Sequence, residues 1–158
     1  MSTEANKTCV RRHFEELWNE GRLDTAAEFF APDFMNFGQQ YEDGPAILRR
    51  IVTIWRTAFP DLHYSVDAMV AEGDAVVAEV TFRGTHRGEF HLVPPYRGPS
   101  GPVLLPNGRA FEVKHMHRFR LRDAQIVEHA AVRDDLGMFS QLGHLGALST
   151  APERAGTA

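Results

Sequence analysis

The chain has 158 residues and a formal net charge of -4, and 43% of its residues are hydrophobic, a composition typical of one globular domain. No apolar run approaches the roughly 20 residues of a membrane span, and the first residues lack the pattern of a secretory signal. One cysteine, Cys9, allows no internal disulfide and is typical of a reducing cytoplasm, and the acidic balance disfavours nucleic-acid binding. We therefore expect a cytoplasmic protein that binds a small molecule, with no nucleic-acid or membrane partner. The unusual component is histidine, which occurs eight times.

The first third of the chain is predicted to be helical. Apolar residues at helical spacing predict an amphipathic helix from residue 3 to residue 20: Val10, Phe14, Leu17 and Trp18. A short second helix is expected after Asp24, a plausible N-cap, and is closed by Pro32. Residues 33–38 are predicted to be a strand or an extended turn. A third helix is expected from Asp43 to Phe59, with Pro45 in its first turn.

After Pro60 the hydrophobic period changes from 3.6 to 2, which indicates strands. The first strand should place alternate residues on the inner face: Leu62, Tyr64, Val66, Ala68 and Val70. A second strand is predicted over residues 75–84, and residues 87–108, rich in proline and glycine, are predicted to form mostly a long loop.

The last third is predicted to be a hairpin followed by a helix. The strand from Arg109 to Leu121 has an apolar face that also carries two histidines: Phe111, Val113, His115, His117, Phe119 and Leu121. A turn at residues 122–125 leads into a strand over residues 126–133, and Asp134 or Asp135 should cap a final helix that ends near Gly143.

These elements predict an α+β fold with one domain over residues 3–146 and a disordered tail over residues 147–158. Three helices precede a four-stranded antiparallel meander. A strongly curved antiparallel sheet that wraps around the helices would form a cone-shaped α+β barrel enclosing an apolar pocket.

The residues most suggestive of chemistry are His115, His117 and, on the next strand, His129. Period-2 geometry turns both His115 and His117 toward the interior. They are either hydrogen-bonded core histidines, or an acid or base whose pKa is lowered by desolvation, or, less favoured, ligands of a metal such as zinc or iron. We predict no metal, because the helix-first order does not suit a double-sheet metal barrel.

The remaining polar residues receive weaker assignments. Asp134 and Asp135 are expected to be helix caps and are candidates for a catalytic acid, and Tyr64 is a candidate hydrogen-bonding partner of an oxygenated ligand. Cys9 is expected to be a small buried side chain. Three histidines are predicted to lie at the surface: His63, His86 and His91. No phosphate-binding loop or dinucleotide fingerprint occurs, so we expect no nucleotide cofactor.

Three segments resemble the SnoaL-like polyketide cyclases, which belong to the nuclear-transport-factor-like and ketosteroid-isomerase-like superfamily. The resemblance extends from about Val10 to Gly143. It is carried by the helix around His13-Phe14, Leu17-Trp18-Asn19 and Leu23-Asp24, by Phe29-Phe30-Ala31-Pro32-Asp33-Phe34, and by Ile126-Val127-Glu128-His129 with Leu136-Gly137 and Gln141-Leu142-Gly143.

The resemblance implies a cofactor-independent enzyme that holds a polycyclic aromatic polyketide in the cone and closes its last ring by an intramolecular aldol reaction. An alignment without gaps places the family's histidines on His117 and His129 and its catalytic aspartate on Ala131. It further implies proton transfer by His117, orientation by His115 and His129, and a homodimer or homotetramer. The residues expected to bind substrate are Asn36, Trp55, Phe14, Trp18, Phe119 and Tyr64.

Two readings compete with the cyclase. One subgroup of the family is linked to hydroxylation of anthracycline-type aglycones without flavin or metal. A non-catalytic protein that binds hydrophobic small molecules is the main alternative, because an alanine at position 131 exchanges no proton.

Overall fold

A computed structural model describes residues 2–91 and 103–145. The elements are α1 (Thr3–Arg12), α2 (Ala26–Phe29), β1 (Phe30–Asn36), β2 (Gln39–Gln40), α3 (Gly44–Ala58), β3 (His63–Glu72), β4 (Ala75–Thr85), β5 (Phe90–His91), β6 (Val103–Leu104), β7 (Ala110–Arg122), β8 (Gln125–Arg133) and α4 (Asp135–Leu142). A π-helical segment, His13–Asn19, continues α1, and a 3₁₀ turn, Leu23–Thr25, precedes α2.

Six strands form one mixed sheet in the order β2-β1-β8-β7-β4-β3, and β5 and β6 form a separate pair. The predicted α+β class is confirmed, with a larger sheet than the predicted meander. The unforeseen feature is the pairing of β1, which runs parallel to β8 and places Asn36 beside His129. A parallel pair joins strands that are distant in sequence, so local periodicity gives no signal for it.

The helices form in the segments where apolar residues recur at helical spacing. Helix α3 begins where the Asp43-Gly44-Pro45 sequence predicts, and the side chain of Asp43 caps it by accepting from the Ala46 backbone N–H at 2.8 Å. Gly44 allows the start of α3 to pack closely against β1, because a Cβ at this position would collide with the carbonyl oxygen of Ala31. The predicted cap at Asp24 is wrong, since the cap residue of α2 is Thr25 and no side-chain hydrogen bond caps that helix.

Strand β3 departs from its predicted alternation. A bulge between Val66 and Ala68 inserts one residue, and every side chain after it moves to the opposite face. Val70 is therefore 68% exposed, while Met69 packs against the core. The prediction that Ala68 and Val70 face inward was wrong for this reason.

The segments around β7 follow the prediction closely. All six residues on its predicted inner face are buried. The β7–β8 turn places Asp123 and Ala124 at positive φ, 51° and 68°, as a two-residue hairpin turn requires. The side chain of Asp134 caps α4 by accepting from Gly137 N, and Gly143 ends the helix in the left-handed conformation.

Three further predictions concern the long loop and the tail, the role of Pro32, and membrane-spanning helices. The predicted loop over residues 87–108 contains β5 and β6, while its centre and the predicted disordered tail lie outside the described residues. Pro32 lies within β1 instead of closing a helix, because α2 ends at Phe29. In the described ranges, no helix is both long enough and apolar enough to cross a membrane.

Candidate active site

The inner faces of β7 and β8 bring the predicted histidines together. Antiparallel register pairs His115 with Arg133, His117 with Ala131, and Phe119 with His129. His115 and His117 are only 4% and 7% exposed, which confirms that both side chains face the interior.

A chain of hydrogen bonds joins three of the predicted site residues. His117 Nδ1 lies 2.9 Å from His129 Nε2, and His129 Nδ1 lies 2.8 Å from Asn36 Oδ1. Asn36 is 7% exposed and comes from β1, so the parallel β1–β8 pairing is what completes the chain. We refer to Asn36, His129 and His117 as the relay.

The order of these bonds determines where the protons lie. The amide oxygen of Asn36 only accepts, so His129 Nδ1–H donates to it and His129 Nε2 is left with a lone pair. His117 Nδ1–H donates to that lone pair, which leaves His117 Nε2 unprotonated. Within the described part of the chain, this buried nitrogen has no hydrogen-bond partner. His117 Nε2 can therefore accept a proton.

Burial keeps the imidazoles neutral. Desolvation, with a smaller contribution from the charge of His13, lowers the pKa of His129 to about 3. Desolvation and then the neighbouring His129 hold the pKa of His117 well below its usual value. The pKa of His115 falls to about 4, mainly by desolvation and then through the charge of Arg133. At neutral pH the site therefore contains uncharged bases.

Aromatic rings surround His117. Phe14 and Tyr64 approach its ring edge-on at centroid distances of 5.4 and 5.9 Å. Tyr64 stacks on Phe82 at 4.2 Å and contacts Trp18 at 5.3 Å. Most of the residues predicted to bind substrate thus lie next to the relay.

Two of these residues have no ring contact with the relay within the described residues. Trp18 contacts Tyr64, which lies against His117, whereas the ring of Trp55 packs against Phe59, Phe82 and Phe90.

Sequence reasoning missed His13. It is 3% exposed, its Nδ1–H donates to the carbonyl of Val10 at 3.0 Å, and its ring contacts Phe119 at 5.2 Å. Desolvation lowers its pKa to about 4. The signal was present, because His13 lies three residues after Val10 and one before Phe14, on the buried stripe of the first helix.

The two candidate acids are engaged outside the relay. Asp134 Oδ1 accepts from Gly137 N at 2.7 Å, and Asp135 Oδ2 accepts from Arg133 at 2.9 Å. Among the described residues, neither carboxylate bonds to a histidine of the relay. The relay thus ends on an amide instead of a carboxylate.

Two further predictions concern single residues. His86 was expected at the surface but is fully buried, because its ring packs against Phe59 and His144. Cys9 is partly buried and its Sγ donates to the Ala124 carbonyl at 3.2 Å. Desolvation raises the pKa of the Cys9 thiol to about 11, so it stays protonated at neutral pH.

Outside the relay, the described residues contain an open surface groove but no metal-binding cluster. Over residues 2–91 and 103–145, no group of three or more histidine, cysteine or acidic residues is arranged to hold a metal ion. An open surface groove of about 370 Å³ contains none of the predicted site residues. It is lined by Asp61, Arg83, Gly84, Thr85, Ala110, Phe111, Glu112 and Gln141.

Comparison with known proteins gives a consistent result. The chain is 28% identical over 137 residues to the aklanonic acid methyl ester cyclase DauD of Streptomyces sp. (strain C5), covering 84% of this chain and 78% of the relative. It is 28% identical over 148 residues to the aklanonic acid methyl ester cyclase DnrD of Streptomyces peucetius, covering 90% and 92%.

The solved structure of TsrD from Streptomyces laurentii superimposes with a TM-score of 0.74 at 26% identity, covering 92% of this chain and 99% of TsrD. The model of the SnoaL-like polyketide cyclase family matches residues 8–142, which include every strand of the sheet and the whole relay. The chain therefore belongs to the SnoaL-like polyketide cyclase family.

Proposed function

We propose that this protein is a cofactor-independent cyclase that closes a ring of an aromatic polyketide ester by an intramolecular aldol reaction, with His117 as the base. The observation that carries the proposal is His117 Nε2, a buried proton acceptor with no partner among the described residues, at the end of the relay. Support comes from relatives named aklanonic acid methyl ester cyclases and from the aromatic walls on which a flat ligand would stack.

The reaction requires one proton to leave and return. His117 Nε2 removes a proton from the carbon beside a carbonyl, and the resulting enolate carbon attacks a second carbonyl of the same molecule. One carbon–carbon bond forms, and the new alkoxide takes the proton back from His117. The product is an isomer of the substrate, so the balance needs no oxidant and no second reactant.

The relay supports both proton transfers. His129 accepts from His117 Nδ1–H throughout, which keeps the imidazole ring oriented and stabilises its charged form while the enolate exists. Asn36 holds His129 in the required tautomer. An alanine at position 131, paired with His117 across the strands, leaves His117 as the proton-transfer group on this side of the site.

The test is product analysis with a tricyclic polyketide methyl ester of the aklanonic acid type. We expect the wild-type protein to form a product of unchanged mass with one additional ring. His117→Ala should reduce turnover by about 10²–10⁴-fold, the usual contribution of a general base, with its circular dichroism spectrum preserved.

His63→Ala is the matched control, because His63 lies on β3 outside the relay. It should retain wild-type turnover. A product heavier by one oxygen atom would establish hydroxylation and contradict the cyclase. Saturable binding without any product would establish the binding protein instead, and full activity of His117→Ala would refute the assigned base.

A further inference from the structure

A second buried polar side chain without a hydrogen-bond partner in the described residues, His115, lies on β7 two residues before His117. His115 is 4% exposed, and neither of its ring nitrogens has a hydrogen-bond partner in residues 2–91 and 103–145. Its ring centroid is 5.5 Å from that of His117, and Phe82 and Tyr64 cover its sides at 5.3 and 6.3 Å. A neutral imidazole has one N–H donor and one acceptor, and buried groups of this kind are normally paired.

Arg133 stands opposite His115 on β8. The two residues are register partners in an antiparallel pair, so their side chains share the inner face of the sheet. Arg133 is close enough to these imidazoles for its charge to lower the pKa values of His115 and His129, although desolvation is the larger cause for both.

Arg133 is not saturated by its known partner. Asp135 accepts a hydrogen bond from one guanidinium nitrogen of Arg133. Within the described part of the chain, no other side chain pairs with this guanidinium. Both side chains of this ion pair are more than one-third exposed, and such pairs contribute little to stability. The remaining N–H groups of Arg133 are available to an anionic acceptor.

We propose that His115 and Arg133 bind an ionised oxygen of the aromatic ligand, a phenolate or an enolate, and thereby orient the ligand with its reacting carbon toward His117. This subsite deepens the proposed function and rests on it for the class of ligand. It selects aromatic polyketides that carry an acidic ring oxygen close to the reacting carbon, because the ring centroids of His115 and His117 are 5.5 Å apart.

The charged groups around this subsite are one guanidinium and two carboxylates that already have partners in the described residues. The titratable groups on the inner faces of β7 and β8 are His115, His117, His129 and Arg133. Tyr64 faces them from β3, and Asp134 and Asp135 lie at the start of α4. The Asp134 carboxylate is held by the Gly137 N–H and the Asp135 carboxylate by Arg133. The guanidinium is therefore the charged group left with donors for a ligand.

The experiment compares two probes, 2-hydroxyanthraquinone and 2-methoxyanthraquinone, by absorbance titration at neutral pH. The wild-type protein should bind the hydroxy probe at least about tenfold more tightly, the effect of one charge-assisted hydrogen bond, and shift its visible band to that of the phenolate. Arg133→Gln and His115→Phe should each remove most of this preference and leave the methoxy probe unaffected.

Arg120→Gln is the matched control, because Arg120 also pairs with an aspartate but points to the outer face of β7. It should bind both probes as the wild type does. Equal affinity for the two probes, or an unchanged preference in Arg133→Gln, would overturn the subsite. His117→Ala separates the two proposals, since it should keep the probe preference while losing turnover. If the preference exists but the wild-type protein forms no cyclised product, the proposed function fails and the subsite stands.

Discussion

The two faces of β7 have the same residue spacing but opposite electrostatics. On the outer face, cations pair with carboxylates of β3, of β8 and of the β3–β4 turn: Lys114 with Asp67, Arg118 with Glu128, and Arg120 with Asp74. On the inner face, the polar residues are the two imidazoles, His115 and His117, without a carboxylate partner in the described residues. Water solvates the first set, and aromatic rings enclose the second.

The comparison shows how a single strand serves two purposes. Exposed ion pairs keep the outer face charged and contribute little to folding, because water and salt screen them. Buried imidazoles lower the free energy of unfolding in acid, because the folded state resists their protonation. A cost of this kind is expected of groups retained for chemistry rather than for stability.

The largest effect should be acid destabilisation arising from the inner face. The folded pKa values of His13 and His129, about 4 and about 3, lie below the ordinary value of 6.5, so the unfolded chain binds more protons between these limits. Stability is therefore complete above pH 6.5 and falls as the pH decreases toward 4. At pH 5 each such histidine should lower the free energy of unfolding by about 2 kcal/mol, measurable by urea denaturation.

The control for acid destabilisation is His13→Phe, which replaces a buried imidazole by an apolar ring in an aromatic environment. This variant should lose part of the pH dependence. Equal wild-type stability at pH 7 and pH 5 would contradict the neutral state of the buried histidines.

A smaller effect should follow from changing the end of the relay. Asn36→Asp places a carboxylate beside His129 Nδ1, and the negative charge should raise the pKa of the His129–His117 pair by about one unit or more. The acid limb of the turnover profile should therefore move to higher pH. Asn36→Leu should lower kcat with little change in KM, because it removes orientation without removing the base.

The relay variants can contradict their assigned role. If Asn36→Asp and Asn36→Leu have the same pH profile as the wild type, Asn36 does not determine the protonation of His117. A loss of folding in both variants, seen by circular dichroism, would assign Asn36 a structural role.

The smallest effect is expected on the outer face. Lys114→Gln and Arg120→Gln should leave the denaturation midpoint close to that of the wild type, and high salt should remove any difference. Turnover should also be unchanged. A strong loss of stability in either variant would show that this face is covered by another surface, as in the homodimer or homotetramer that the sequence predicts.

Local periodicity was sufficient for much of the fold. The alternation along β7 predicted all six inward residues, including His115 and His117, because side-chain direction in a strand depends only on neighbouring backbone geometry. The start of α3 at Asp43 was predictable for the same reason, since its capping hydrogen bond spans three residues. The bulge after Val66 was not, because its effect appears only in the pairing with β4.

The features of the candidate site also separate into those that the sequence predicts and those that depend on the tertiary structure. The sequence by itself determined the presence of histidines on two adjacent inner strand faces, because a hairpin with a short turn forces its strands to pair. Only the tertiary structure decided which nitrogen of His117 carries the lone pair, since this depends on Asn36 reaching His129 from a strand 93 residues away. It also decided that the imidazoles remain neutral, because desolvation is produced by packing of the whole chain around them.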